Sequence, residues 1–241
     1  MRFFSLYQYI APAILFPLAY ALFLRRYDGD HRMTLFMLAV PITFSYVIPA
    51  IGMNVLRIWA MRTRLKVGRI RPHHGFMFGS AASLFALLSL DRLSGPLTAL
   101  EPVRAGLVLG AVIAFWNWLY DVIAIRVGFI QVFNRPWALG HGPEAIATDY
   151  APALFGGFGF AYGFWARIAE SWLFLGQRRD LYYPVLTAAI VTALVLPVAI
   201  FVAQSLYLYG EIGLSSYEQV GAGGLQAPIA DERSSSDGTK K

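Results

Sequence analysis

Residues 181–210 read LYYPVLTAAIVTALVLPVAIFVAQSLYLYG, thirty consecutive positions without a lysine, arginine, histidine or carboxylate. A helix of a soluble domain buries one apolar stripe and carries charge on its other face. A run this long with no charge on any face calls for an apolar solvent all round, and about 20 such positions cross a bilayer. The run therefore reads as a transmembrane helix. It is longer than an upright crossing requires, so part of it tilts or lies at the interface. Pro184 and Pro197 predict a late start and a kink.

The same reading extends to 3–24, 33–56, 72–90, 105–120 with an extension to about 133, and 150–166 continuing past Glu170. The expectation is an all-α, multi-pass transmembrane bundle of about six spans over 1–210, arranged as two three-helix halves if the chain is duplicated. The first run resembles a signal peptide in following Arg2. It is long, lacks a small-residue cleavage site and runs into Arg25 and Arg26, so it reads as a retained helix. Residues 211–241 read as a polar, disordered tail.

Composition agrees, because hydrophobic residues make up 57% and charged residues 14%, against about 25% charged in soluble domains. The absence of cysteine removes disulfides, thiolate metal sites and a cysteine nucleophile. The net charge of +6 would point to nucleic acid if it lay in one block. Residues 1–210 hold 17 basic and 9 acidic side chains, however, and the basic excess sits in loops between spans. Arg57, Arg62, Arg64, Lys66, Arg69 and Arg71 crowd one of them, which places that loop, and with six spans both termini, in the cytoplasm. Membrane lipids are the expected partners, and nucleic acid is not.

A faint repeat is visible. Asn54-Val55-Leu56 leads to Ala60-Met61-Arg62 and Gly68, and Asn117-Trp118-Leu119 leads to Ala124-Ile125-Arg126 and Gly128. Gly106 with Gly110, and Gly159 with Gly163, predict close helix approach or oligomer contacts.

Ionisable residues inside spans are costly and mark function by default. Asn117 and Asp121 stand one helical turn apart, where the amide can orient the carboxylate. Arg126 follows about 140° further round and reads as a headgroup-level residue. Arg167 and Glu170 permit an intrahelical ion pair; alternatively Glu170 faces Asp121 across the bundle as a second carboxyl. The intervening loop carries His141 and Glu144 among glycines and prolines, a composition suited to a lid or a plain connector. Trp116, Trp118, Trp165 and Trp172 offer aromatic walls or belts. No metal site is expected, since the four histidines include no His-x-x-x-His pair. There is no P-loop, dinucleotide fingerprint or nucleophile elbow, and no organic cofactor is expected.

Residues 120–129, Tyr-Asp-Val-Ile-Ala-Ile-Arg-Val-Gly-Phe, followed by Gly142-Pro143-Glu144-Ala145, resemble the integral membrane lycopene cyclase type of carotenoid enzyme. That family carries an aspartate before an Ala-x-x-x-Gly helix end and a Pro-x-Glu-Glu-like motif opening the next helix. Here Pro143 is followed directly by a single acid, so only Asp121 and Glu144 correspond. The resemblance implies a membrane enzyme that cyclises or isomerises an apolar isoprenoid. In that reading Asp121 or Glu144 is the acid, Glu170 the stabilising carboxylate and Asn117 the orienting group, with Trp118, Trp165, Arg126 and His141 lining the substrate. Two other readings use the same charges: a transporter with Asp121, Arg126, Arg167 and Glu170 along a polar path, and an accessory subunit of a membrane complex.

Overall fold

The computed structural model describes residues 2–63, 65 and 71–219. These are mostly helical. Helix α1 (Arg2–Arg26) turns at Asp28 and Gly29, both at positive φ, into α2 (His31–Asn54). Asp30 caps α2, its Oδ1 accepting from the amides of Arg32 at 2.8 Å and Met33 at 3.1 Å, which satisfies donors that a helix start leaves open. Strand β1 (Trp59–Met61) and helices α3 (His74–Ser89) and α4 (Glu101–Arg126) follow. The chain continues through β2 (Ile130–Val132), the short α5 (Arg135–Ala138) and α6 (Pro143–Thr148), and α7 (Ala151–Ala169). Without a break α7 widens into a π turn, Glu170–Leu175, and α8 (Tyr182–Tyr209) closes at Gly210 in the left-handed conformation.

Among the described residues, four helical segments are long and apolar enough to cross a membrane: Arg2–Arg26, His31–Asn54, Glu101–Arg126 and Arg179–Tyr209. The expected third span is α3, which at 16 residues rises about 24 Å and falls short of a hydrocarbon core of about 30 Å. The expected fifth, α7, is diluted by four glycines and Arg167.

The expected continuation of the fourth span to about residue 133 is corrected. The helix ends at Arg126, and Gly128 at φ 70° lets the Phe129 amide fold back on the Ala124 carbonyl at 2.8 Å. The freed segment becomes β2, antiparallel to β1 with Trp59 opposite Val132 and Met61 opposite Ile130. The repeat thus leads on both sides to paired strands. Its register is unequal, because β1 begins five residues after Asn54 and β2 thirteen after Asn117.

The two glycine pairs meet each other. A side chain on Gly159 would lie 2.7 Å from the Leu109 carbonyl oxygen and 2.8 Å from Gly110 Cα, and one on Gly106 would lie 2.8 Å from the Phe160 carbonyl. Helices α4 and α7 therefore touch backbone to backbone. That use of the glycines is internal to the chain.

Of the basic loop, Arg64, Lys66 and Arg69 lie outside the described residues, as does the expected disordered tail from 220 onward. Residues 211–219 dock instead: the Tyr217 amide donates to the Phe133 carbonyl at 2.9 Å, and its hydroxyl to Glu211 at 2.5 Å.

Candidate functional site

Asp121 lies one turn from the end of α4, and its side chain is buried. The Tyr150 hydroxyl, at the mouth of α7, donates to its Oδ2 at 2.6 Å. Tyr150 is itself buried, with its ring 5.7 Å from that of Trp59. The two residues line a chamber of about 70 Å³ together with Phe44, Ser45, Trp59, His74, Phe78 and Phe155. Such a chamber has room for a few waters or the end of a chain. Among the described residues, Asp121 is the one carboxylate on its wall.

Phe44, Ser45, Phe78 and Phe155 also line a second, larger cleft of about 450 Å³, between α1, α2, α3, α4 and α7. Its walls are Phe4, Tyr7, Phe85, Trp116, Tyr120 and Phe158, among others, with Asn117 the one amide. Chamber and cleft thus adjoin across four shared residues, and the larger volume falls within the range of small-molecule pockets.

Behind Tyr150 lies a polar knot between the turn that precedes α7 and the C-terminal end of α8. Asp149 accepts from Asn134 Nδ2 at 2.9 Å and from the Tyr209 hydroxyl at 2.8 Å, and its carbonyl accepts from Gln204 at 3.0 Å. Asn134 also donates to the Ile146 carbonyl at 2.9 Å. These bonds fix the turn that presents Tyr150. Burial pushes the Asp149 carboxyl above its ordinary range, against the opposing pull of the Tyr209 and Asn134 hydrogen bonds and of Arg135.

The remaining expected site residues are dispersed. Asn117 lines the cleft, but its amide donates to the Ile113 carbonyl of its own helix at 2.9 Å. A side chain one turn from Asp121 is drawn back to its own backbone, and Tyr150 is the orienting donor. Glu144 pairs with Arg126 on the surface, both side chains more than half exposed. Neither belongs to the chamber. His141 is exposed. Trp118 Nε1 donates to Thr148 Oγ1 at 2.9 Å and ties α4 to α6, while Trp165 packs edge-on against Phe164.

Glu170 is separated from Asp121 by the length of α7, about 28 Å for 19 residues. It accepts from Arg167 Nη1 at 2.5 Å and from the Tyr27 hydroxyl at 2.9 Å, and lies 3.4 Å from Arg26 Nη2. Arg167 in turn donates to the Asp91 carbonyl at 2.5 Å and lies 3.4 Å from Glu101. Two arginines and two glutamates therefore neutralise one another and pin together the ends of α1, α4 and α7. The expected facing of Glu170 and Asp121 across the bundle is thus corrected.

Tyr150 and Trp59 are site residues that sequence reasoning missed. Tyr150 lies 29 residues from Asp121 and the two meet only through the packing of α4 against α7. Among the described residues no group of three or more histidines and carboxylates is placed to hold a metal ion. Compared with known proteins, the chain matches no family model, no curated protein and no solved structure.

Proposed function

We propose that this chain is an integral membrane enzyme that isomerises or cyclises an apolar isoprenoid or lipid by proton chemistry, with Asp121 as its acid. One observation carries the reading. A buried carboxyl, held by a single phenol, faces a ring-lined chamber that adjoins an apolar cleft large enough for a hydrocarbon chain.

The chemistry follows from those parts. Asp121 gives its proton to one carbon of a double bond; the π pair forms the new C–H bond and the more substituted carbon becomes cationic. The rings of Phe44, Trp59 and Phe78 stabilise that cation through their negative faces and exclude water that would capture it. A neighbouring double bond closes a ring on the cation or the charge shifts along the chain. Loss of a proton from an adjacent carbon restores the alkene. Substrate and product are isomers, so no oxidant or reductant is consumed. Tyr150 stabilises the carboxylate left after proton transfer.

On this reading α3 and α7 with its π turn complete a six-helix bundle, and the arginine-rich loop and both termini face the cytoplasm. The test is incubation of the protein in lipid vesicles with a linear isoprenoid hydrocarbon such as squalene or lycopene in heavy water. Incorporation of deuterium into an isomeric product is expected, lost in Asp121→Asn by on the order of a hundredfold or more and retained in Glu144→Gln. Turnover unaffected by Asp121→Asn rules the mechanism out, and uptake of a solute in place of turnover favours the transporter reading.

A further inference from the structure

Two proton transfers at different carbons are needed for the chemistry above, and one carboxyl held at one point by Tyr150 serves only the first well. His74 supplies a second group. It opens α3 and is only 7% exposed. It lines the same chamber as Asp121, and its Nδ1 has no hydrogen-bond partner among the described residues. Both ring nitrogens of the adjacent His73 are similarly unpaired among the described residues. Buried polar atoms in folded proteins are almost always bonded to protein or to water. A chamber of about 70 Å³ exceeds the space a single water requires.

We infer that His74 and Asp121 form a proton-exchanging pair bridged by water across this chamber, with His74 as the base that completes the reaction. The base role rests on the enzyme reading; the pair does not. As the alkene is restored, a C–H bond of the cation breaks, its electrons become the new π bond, and the proton goes to a ring nitrogen of neutral His74. The imidazolium gives a proton to the bridging water, and the water gives one to the Asp121 carboxylate. Acid and base then stand as they began, with no net proton gained or lost.

The pair is tested by nitrogen NMR of labelled histidine in the full-length protein in nanodiscs. Replacing Asp121 by Asn shifts the His74 imidazole resonances, and replacing Asp149 by Asn, behind Tyr150, leaves them in place. His74 resonances indifferent to Asp121→Asn overturn the pair. The base role is tested in heavy water with squalene and lycopene as probes. In His74→Gln, deuterium still enters the probe, but the final deprotonation slows by on the order of a hundredfold, and the ratio of double-bond isomers or water-captured alcohol rises. An unchanged product ratio overturns the base role. Should His74→Gln not fold, the NMR comparison still decides the pair. Should the wild-type protein take up no deuterium from either probe, the enzyme reading and the base role fall together while the NMR result stands by itself.

Discussion

The Tyr150 hydroxyl sits 2.6 Å from Asp121 Oδ2 and is the one side chain among the described residues that donates to this carboxyl. Tyr150→Phe removes that donor while keeping the ring against Trp59. A hydrogen bond to a charged group contributes about 1.5–3 kcal/mol, a neutral one about 1 kcal/mol. The variant is expected to lose stability by about 1–3 kcal/mol, read as a lower unfolding temperature, and to lose turnover while still binding the apolar probe. A Tyr150→Phe protein as stable and as active as the wild type would show that the bond serves neither purpose.

At the far end of α7, Glu170 is shared by Arg26, Arg167 and Tyr27, with its side chain 3% exposed. Glu170→Gln leaves two guanidinium groups facing a neutral amide. Breaking a buried pair from one side costs about 3–5 kcal/mol, so a large stability loss is expected in thermal or denaturant unfolding. Adding Arg26→Met removes the cation left without a carboxylate, since Arg167 keeps Glu101, and recovers part of that loss. Activity per folded molecule stays at the wild-type level, because the cluster lies a helix length from the chamber. A loss of turnover with unchanged stability contradicts this purely structural role.

The fold was legible where one physical signal dominated. The uncharged run at 181–210 needs lipid or protein on every side and became α8; the paired glycines predicted the close approach that α4 and α7 make. Arg167 and Glu170, three residues apart, pair as their spacing allows. Asp121 stood out as a carboxyl within a span. What was hidden depended on distant partners or on one backbone angle. Residues 127–133 are as apolar as the helix before them, and only the left-handed turn at Gly128 releases them as a strand. Asn117 is well placed in sequence to hold Asp121, yet an amide has an acceptor four residues back on its own helix and takes it. Glu144 has the motif position of a catalytic acid, but Arg126 meets it at the surface.

Gly159 decides whether α4 and α7 remain in contact. Exchange of glycine for alanine inside a helix gains about 1 kcal/mol of intrinsic propensity. Here the new methyl meets the Leu109 carbonyl oxygen at 2.7 Å and Gly110 at 2.8 Å, both backbone and unable to rotate away. Overpacking costs about 1–3 kcal/mol, so Gly159→Ala is expected to be destabilising despite the propensity gain. Gly95→Ala is the control, since nothing lies within 4 Å of its added methyl. It is expected to change stability by no more than about 0.5 kcal/mol. Equal unfolding temperatures for the two variants contradict a backbone contact between α4 and α7.

Asp149 gives the turn beneath Tyr150 a dependence on pH whose sign is fixed. Burial raises this carboxyl above the value it has in the unfolded chain, and the hydrogen bonds from Tyr209 and Asn134 only partly offset that rise. Between the two values the folded protein holds a proton that the unfolded chain has lost. Stability therefore falls as pH rises from the unfolded value, roughly pH 4, through the raised folded value, and levels off above it. Asp149→Asn abolishes this contribution: an amide carries no charge to bury, and its oxygen still accepts from Tyr209. Unfolding temperatures of the two proteins, followed from acid to neutral pH in one detergent, are expected to decline more steeply for the wild type. Parallel curves mean that the ionised carboxylate is fully compensated by its donors, and that burial at this turn carries no electrostatic penalty.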